Sequence, residues 1–412
     1  MGVWRMSNLN QFMGSEPVGS IRQSVIDLEA ESNGQWMLAN NRSLLRADYP
    51  AVESYYPDGT YTPTLRTLAA VPGSTAPAAD SVNFLVAGPV GTSPLQASAD
   101  GATWVTSASW AASTAFRNII VAGARWIVAP YTGETQPYVM ATGGTATDLV
   151  NKANWTVTTG ASVTSGHNSL AYSPTLGRTV LIKAYAAQSY YLNDGSTAWT
   201  AMTGGSATQN NNVVWTGQKF IKTEFVTSST RYQESSDGIT WTDSFFPLFN
   251  TLVNFDSVGA IASNGAGVVL IRVSGIAAGS TSYFSGIGFL RTADHGATWS
   301  FISTETLQLF LSSGVYCLNS IFYSTGLFGV AASVDGVTWA AINPLNNGIA
   351  NASLLCNVLG YKSGVYLTFY NAAAAATFTA DSTTFRLPGL YNVDYTNVGK
   401  MAIDGNYYIK VK

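Results

Sequence analysis

The sequence contains little charge, few histidines and only two cysteines. Charged residues make up 10% of the 412 residues, and the net charge is −3. Soluble domains usually carry roughly 25% charged residues. No lysine and arginine cluster occurs, which argues against a nucleic-acid partner because binding a polyanion requires basic patches. Two cysteines are too few for a secreted disulfide framework.

Several sequence signals of location and chemistry are also missing. No run of about 18 apolar residues could span a membrane, and no N-terminal signal pattern is visible. We therefore expect a soluble protein made in the cytoplasm, with no membrane insertion. Phosphate loops and dinucleotide fingerprints are absent. The two histidines, His167 and His295, have no ligand at metal spacing, so neither a metal nor a cofactor is expected.

The histidines and cysteines have simpler structural interpretations. His295 occupies a variable position of a turn motif, where we expect it to be exposed to solvent. Cys317 and Cys356 lie in apolar runs, one repeat apart. Buried cysteine packs as a small hydrophobe, so two buried free thiols are expected, with a disulfide as the alternative.

A short turn motif recurs along the chain. Its longest copy is Thr292–Trp299, of the form T-x-D-x-G-x-T-W, and the others are one residue shorter, end in Phe, or are degenerate. The closing aromatics are separated by 51, 44, 42, 58, 40 and 46 residues. One four-stranded propeller blade takes roughly 40 to 50 residues, so seven copies predict a seven-bladed, all-β propeller.

The motif has the composition of a hairpin between two outer strands of a blade. Its Asp can bond nearby backbone N–H groups, and its Gly can take a positive φ. Its aromatic residue offers a large apolar face to bury. The motif residues are Asp100, Gly101, Trp104, Asp194, Trp199, Asp237, Gly238, Trp241, Asp294, Gly296, Trp299, Asp335, Gly336, Trp339, Asp381 and Phe385, with Asn151–Trp155 as a further decayed copy.

These copies resemble the Asp-box (BNR) repeat, which is known from sialidases and from many non-enzymatic propellers. The resemblance implies a β-propeller in which the motif residues are structural, and it implies little about function. The strands before each motif are near-continuous apolar runs, as expected for the inner strands of a blade. The strands within 400–411 repeat such a pair without a motif, so we expect them to complete the first blade and close the ring.

The 58-residue interval contains an insertion at Ser274–Gly288, which predicts a loop on one face of the disc. Aromatic side chains can stack on sugar rings. Tyr283 and Phe284 of this loop are therefore the candidate ligand residues, although most aromatics in a propeller pack between blades.

The N-terminal region differs in composition from the rest. The first 50 residues carry nine charged residues, against 34 in the remaining 362. Val71–Ala79 is rich in Pro, Gly and Ala, as is typical of a linker. We therefore predict an attachment region at 1–75 and a propeller at 76–412. Ser20–Glu31 alternates loosely and could be a strand that pairs only in an assembly.

Gly34–Ala51 predicts a Trp-led strand, a turn and a short helical turn, which also suits an ordinary small domain. The segment resembles phage tail-collar and tail-fibre segments, with Asn41 and Val52 as departures. Such a segment implies docking to another virion protein. The matching residues are Trp36, Asn40, Leu45, Arg46, Tyr49, Pro50 and Ala51.

An enzyme is not expected. A sialidase-like site needs an arginine triad and paired acidic groups. Arg386, in a Phe-Arg-Leu-Pro stretch, lies in the last repeat, whereas the sialidase motif of that form lies near the start of the domain. The acidic residues outside the turn motif have no recurring spacing; they are Glu134, Glu224, Glu234, Asp243, Asp256, Glu305, Asp394 and Asp404.

Together these features predict a phage virion structural protein, associated with the tail or fibre. Its N-terminal region would dock to the particle, and its propeller would face a host-surface glycan or a protein. We expect a homo-oligomer in the virion. A purely structural decoration or adaptor protein is the alternative, and a glycan-cleaving depolymerase is a further one.

Overall fold

Only part of the chain is described by the computed structural model of this protein. The described residues are 21–24, 36–38, 43–45, 61–67, 78–87, 95–107, 109–111, 113–163, 168–183, 188–203, 212–223, 231–246, 253–277, 287–303, 314–326, 329–342, 358–362, 365–369, 374–380, 384–386 and 406–410.

Four strands lie in the N-terminal region. They are β1 (Ile21–Ser24), β2 (Trp36–Leu38), β3 (Ser43–Leu45) and β4 (Tyr61–Thr67). The second begins at Trp36, as the Trp-led strand predicted, whereas Ser43–Leu45 is a strand where a helical turn was expected. None of the four pairs with another of the four, since their partners come from the other end of the chain.

Six four-stranded antiparallel sheets follow, each made of four consecutive strands. The first three contain β5 (Ala78–Ala79), β6 (Phe84–Ala87), β7 (Leu95–Ser98) and β8 (Val105–Thr106); β9 (Ala115–Ala122), β10 (Arg125–Thr132), β11 (Tyr138–Ala141) and β12 (Thr156–Val157); and β13 (Asn168–Ser173), β14 (Arg178–Lys183), β15 (Tyr190–Asn193) and β16 (Thr200–Ala201).

The next three sheets have the same strand order. They contain β17 (Val213–Trp215), β18 (Phe220–Thr223), β19 (Arg231–Ser235) and β20 (Thr242–Phe245); β21 (Val253–Ser263), β22 (Val269–Ala277), β23 (Ile287–Thr292) and β24 (Ser300–Ser303); and β25 (Gly314–Leu318), β26 (Ile321–Gly326), β27 (Gly329–Ser333) and β28 (Ala340–Ile342).

A further four-stranded sheet, here called the composite sheet, combines both ends of the chain. It contains β29 (Val358–Lys362), β30 (Val365–Phe369) and β31 (Ala374–Ala380), and its fourth strand is β4 from the N-terminal region. The last two strands are β32 (Thr384–Arg386) and β33 (Asn406–Lys410). The all-β propeller is confirmed, with six blades of consecutive strands rather than the predicted seven.

Two sequence expectations about the chain ends are wrong. The C-terminal strand β33 does not complete the first blade, because it lies between β1 and β2 in a separate three-stranded sheet. Similarly, Ile21–Ser24 pairs within its own chain rather than only in an assembly. The boundary near residue 75 stays a prediction, although strands from both sides of it share sheets.

Local sequence explains the strands of the blades. The second strand of a blade is buried on both faces, so it is apolar without alternation: residues 126–130 of β10 are all buried. A glycine with positive φ closes the preceding hairpin, as at Gly177 with φ 55°. Both ends of the expected loop at Ser274–Gly288 lie in strands, because β22 continues to Ala277 and β23 begins at Ile287; residues 278–286 lie outside the described residues.

The sheets stand side by side, and the core lies between them. The innermost strand of each blade contacts that of the next, and β29 contacts both β25 and β5. Five closing tryptophans pack into the apolar layer shared with the preceding blade, namely Trp155, Trp199, Trp241, Trp299 and Trp339. A helix, α1 (Ala146–Val150), and a 3₁₀ turn (Lys152–Asn154) replace the decayed motif of the second blade.

Candidate functional site: the aspartate turns and the contacts between blades

Three of the repeated motifs form the same turn, here called the aspartate turn. In the first, Asp100 Oδ1 accepts the backbone N–H groups of Ala102 and Thr103, both at 2.8 Å. Ser98 Oγ donates to that oxygen at 3.0 Å and accepts the Gly101 N–H at 2.8 Å. The turns at Asp237 and Asp335 repeat all four bonds.

The glycine of the turn is required for two reasons. Gly238 has φ 70°, which is strained for a residue with a side chain. A Cβ at this position would also lie 2.9 Å from Phe220 and from Val180, both in neighbouring strands of the core. The turn is therefore pressed against the preceding blade as well as against its own.

Asp294 stands in the longer copy of the motif. Its carboxylate accepts the hydroxyls of Thr292 at 2.7 Å and Thr298 at 2.6 Å, and also the Thr298 N–H at 2.8 Å. Burial by itself raises the pKa of Asp294, but the hydrogen bonds from Thr298 and Thr292 outweigh it and lower the pKa to about 2. This carboxylate is held ionised, which suits a structural acceptor better than a proton donor.

His295 lies in the extra position of this longer turn, with φ 61°. The expectation of an exposed side chain is wrong, because the residue is half-buried. Its Nδ1 lies 2.9 Å from the carbonyl oxygen of Thr216 in the preceding blade, and its backbone N–H donates to Gly267 O at 3.0 Å. The inserted residue therefore bridges two blades.

Asp194 uses its carboxylate differently. The Tyr172 hydroxyl donates to it at 2.8 Å, and Arg125 of the preceding blade lies 3.6 Å away. Burial, followed by the hydrogen bond to Asp194, raises the pKa of Tyr172. In this degenerate copy the acid connects strands and blades instead of stabilising its own turn.

A donor from one blade reaches a backbone carbonyl in the outer turn of the next blade. Six side chains make such a contact, and we call them the inter-blade donors. Together they connect most pairs of neighbouring described sheets. The pairs are Asn83 with Gly144, Arg125 with Ser196, Arg178 with Asp237, Tyr232 with Gly296, Arg291 with Asp335, and Lys362 with Ala99.

The donors are pre-positioned by the hairpins that carry them. Arg125 and Arg178 are the first residues of β10 and β14, directly after the glycine turn between the first two strands. That turn and the outer turn of a four-stranded meander lie at the same end of a blade, so a long cation at the strand start reaches the neighbouring outer turn. The signal that could have revealed them is an arginine after such a glycine turn.

A second polar cluster lies at the opposite end of the second blade. Glu134 accepts hydrogen bonds from Lys152 and from the Tyr138 hydroxyl, the latter at 2.7 Å. The Lys152 ammonium also stands 5.2 Å from the Trp110 ring centroid. Burial, then the bond to Glu134, raises the pKa of Tyr138, and the bond to Glu134 raises the pKa of Lys152. The carboxylate is neutralised by a cation, which suits a structural link.

Two further acidic residues outside the turn motif, Glu234 and Asp243, also have basic partners. Glu234 pairs with Lys219 at 2.5 Å, and Asp243 pairs with Arg231 at 2.7 Å. Among the described residues, no group of three or more His, Cys, Asp or Glu side chains is placed to hold a metal ion. Cys317 is a half-buried free thiol, and burial raises its pKa to about 12.

Several predicted site residues lie outside the described residues. This applies to the candidate ligand residues Tyr283 and Phe284, and to Asp381 of the last motif. Trp36 and Phe385 lie in β2 and β32. The attachment residues outside the description are Asn40, Arg46, Tyr49 and Pro50.

No protein-family model and no curated protein matches the sequence. Solved structures are similar at the level of the fold. YCF48 bound to D1 peptide is 14% identical with a TM-score of 0.52, over 77% of this chain and 97% of that chain. A streptogramin B lyase structure is 9% identical with a TM-score of 0.52, over 78% and 98%.

Virginiamycin B lyase from Staphylococcus aureus is similar to the same degree. It is 8% identical with a TM-score of 0.51, over 77% of this chain and 100% of that chain. Identities this low carry the fold alone, and these proteins differ in function. Within the described part of the chain, the helices are too short and too polar to cross a membrane. The comparisons and the strand order agree that the chain is an all-β propeller.

Proposed function

We propose that this chain is a non-catalytic virion protein of a bacteriophage, in which a rigid propeller presents a binding surface and the N-terminal region docks to the particle. The proposal of a non-catalytic protein rests on one observation: the polar groups of the turns are bonded within the protein. The carboxylates of the aspartate turns accept local N–H and hydroxyl groups, and the turn carbonyls accept the inter-blade donors. Groups committed to holding blades together suit a scaffold.

The same proposal includes a seventh blade and the identification of the repeated turns as Asp-box repeats. The composite sheet acts as a seventh blade, since it has four strands and its innermost strand contacts both neighbours. The repeated turns correspond to the Asp-box repeat, since an Asp two residues after Ser accepts two successive N–H groups in three copies, and Asp294 accepts the Thr298 N–H in the longer copy. Both statements agree with the spacing of the sequence motif.

The virion role is supported by the collar-like segment around Trp36 and by the low-charge composition. The propeller would contact a host-surface glycan or a protein. The similar structure of YCF48 bound to D1 peptide offers a precedent for peptide contact by this fold. Copies of the chain would assemble as a homo-oligomer around the particle axis.

A purely structural adaptor of the virion is the second candidate. Exposed apolar side chains on outer strands favour it, because Phe245 is 65% exposed and Phe301 is 42% exposed on neighbouring blades. Such residues suit coverage by an adjacent subunit. A depolymerase would need two carboxyl groups about 5 to 9.5 Å apart on either side of a bound glycan.

Binding of labelled full-length protein to cells of the phage host tests the proposal. Saturable binding that blocks phage adsorption is expected for a receptor-binding virion protein. Mass spectrometry of purified particles provides the independent arm. Presence in the particle without cell binding favours the adaptor, whereas absence from the particle contradicts the virion role altogether.

A further inference from the structure

Six Asp–Gly steps occur in the sequence, and four of them lie in the described repeats. In such a step the backbone nitrogen of the glycine can attack the side-chain carbonyl carbon of the aspartate, because glycine has no side chain to obstruct the approach. In a folded protein this attack also requires a nitrogen without a hydrogen bond and room for the backbone to rotate. The four described steps are Asp100–Gly101, Asp194–Gly195, Asp237–Gly238 and Asp335–Gly336.

In the three aspartate turns the attacking nitrogen is occupied. The glycine N–H of each turn donates to the serine hydroxyl of the same turn at 2.8 Å, and the glycine is buried. Two of these glycines are also packed closely against the preceding blade. A Cβ on Gly238 would lie 2.9 Å from Val180, and one on Gly336 would lie 2.7 Å from Leu270. The turns therefore bond the nitrogen and leave the backbone little room to rotate.

The step Asp194–Gly195 lacks these restraints. Leu192 stands where the aspartate turns have serine, so no hydroxyl is present two residues before the acid. Among the described residues, no acceptor bonds to the Gly195 N–H. Both residues of the step are exposed, and a Cβ on Gly195 would meet nothing within 4 Å. This nitrogen is therefore free to attack, and water can reach the step.

The carboxyl group of Asp194 is also held differently. In an aspartate turn, the carboxylate accepts two backbone N–H groups beyond the glycine, which fixes it past the glycine nitrogen. Asp194 instead accepts the Tyr172 hydroxyl at 2.8 Å, and its other oxygen lies 3.6 Å from Arg125. Both of these partners come from other strands rather than from its own turn. The carboxyl group is therefore less restrained relative to the glycine nitrogen than in the aspartate turns.

We propose that Asp194–Gly195 is a site of spontaneous aspartate isomerisation in the folded protein, and that the serine hydroxyl protects the three aspartate turns from the same reaction. The Gly195 nitrogen forms a bond to Cγ of Asp194, while the hydroxyl of the protonated carboxyl group leaves as water with the N–H proton. Water then adds to one of the two carbonyl carbons of the five-membered ring. Breaking the bond from nitrogen to Cγ restores aspartate, whereas breaking the bond to the main-chain carbonyl carbon gives isoaspartate. The reaction needs only water, and the mass of the chain is unchanged.

Isoaspartate at this step alters the contact between the second and third blades. It adds one carbon to the main chain and leaves a side chain that is one carbon shorter. Arg125 of the second blade donates to Ser196 O at 2.6 Å and to Asn193 O at 3.1 Å, on either side of the step. A longer backbone between these two carbonyl groups cannot keep both bonds at their present geometry. The degenerate motif copy is thus the place where this propeller loosens with age, whatever the protein binds.

Incubation of the wild-type, full-length protein in warm neutral buffer tests the proposal. Peptide mass spectrometry detects isoaspartate as a separately eluting peptide of equal mass that resists the endoprotease cleaving before aspartate. We expect isoaspartate at position 194 to form about tenfold faster than at 100, 237 and 335, because attack in the aspartate turns must first break a hydrogen bond. In denaturant the four steps should react at similar rates. Equal rates at the four steps of the folded protein, or no reaction at position 194, would overturn the proposal.

The variant Ser98→Ala tests the protection directly. It removes the hydroxyl that accepts the Gly101 N–H, so isoaspartate at position 100 should form several-fold faster than in the wild type. The steps at positions 237 and 335 keep their serines and serve as controls within the same chain. An unchanged rate at position 100, or an equal increase at all three positions, would overturn the protective role of the serine hydroxyl.

Discussion

At the scale of single residues, the acidic side chains of the described aspartate turns bond to groups of their own turns. The four bonds around Asp100 are repeated around Asp237 and Asp335, so the same acid–hydroxyl–glycine arrangement closes three blades. Charge-assisted bonds from N–H to carboxylate are about twice as strong as neutral ones.

The lowered pKa of Asp294 predicts how the stability of the folded protein changes with pH. The pKa of Asp294 falls from 3.8 to about 2 in the folded protein. Its stabilising effect is therefore complete above pH 4 and is lost as the pH falls through 2, because protonation then favours the unfolded chain. We expect Asp294→Asn to lower the unfolding midpoint at pH 6 and to match wild type near pH 2.

Denaturant unfolding at both pH values checks this prediction. Thr298→Val removes one hydroxyl donor, so it should raise the pKa of Asp294 and move the loss of stability to higher pH. An Asp294→Asn variant that is equally destabilised at pH 6 and pH 2 would show that the charge of this carboxylate contributes nothing.

At the scale of elements, backbone contacts between blades limit which residues can be accepted. Gly160 follows β12 with φ 85°, and a Cβ there would lie 2.3 Å from the carbonyl oxygen of Trp199 in the next blade. Across this interface the Trp199 N–H donates to Thr159 O at 2.8 Å, and the Thr159 N–H donates to Thr197 O at 2.9 Å. No rotamer change relieves a clash with a backbone oxygen, so the third blade would have to move outward.

Gly143 offers a matched control for this contact. It has φ 86°, but a Cβ at this position meets nothing within 4 Å. Gly143→Ala should cost about 1 kcal/mol from the left-handed backbone alone. Gly160→Ala should cost about 1–3 kcal/mol more, because overpacking adds to the same strain. Denaturant unfolding of the two variants measures the difference, and equal losses would exclude the inter-blade clash.

At the scale of the whole molecule, stability depends on closing the ring between its first and last sheets. Lys362→Met keeps the aliphatic stem but removes the ammonium that reaches Val82 O and Ala99 O. We expect a loss of about 0.5–1.5 kcal/mol, because these hydrogen bonds lie at an exposed site. Amide exchange should quicken in the first blade and the composite sheet and stay unchanged in β18 and β19.

Lys219→Met is the control, because Lys219 pairs with Glu234 inside one blade at a partly exposed site. Such pairs contribute about 0–1 kcal/mol. Hydrogen exchange followed by mass spectrometry separates the two effects. Faster exchange spread evenly over all blades of the Lys362→Met variant would mean that the joint is not a distinct point of closure.

The repeat period and the turn chemistry were readable from the sequence because both are local. A turn of seven or eight residues places Asp, Gly and Trp at fixed offsets, and an apolar second strand follows from burial on both faces. The all-β propeller and the strands before each motif followed from these patterns. The decayed copy at Asn151–Trp155 differs from the other copies in its local structure, because Lys152–Asn154 forms a 3₁₀ turn.

Only the tertiary structure decided how the chain ends meet and which side chains connect the blades. Strand β4 pairs with β31, and β33 pairs with β1 and β2, across most of the length of the chain. No periodicity records such partners, because strand pairing depends on which edges the folded ring brings together. Likewise, no sequence pattern relates Arg125 and Arg178 to their partners. In the folded ring, Arg125 donates to Ser196 O and Arg178 donates to Asp237 O of the next blade.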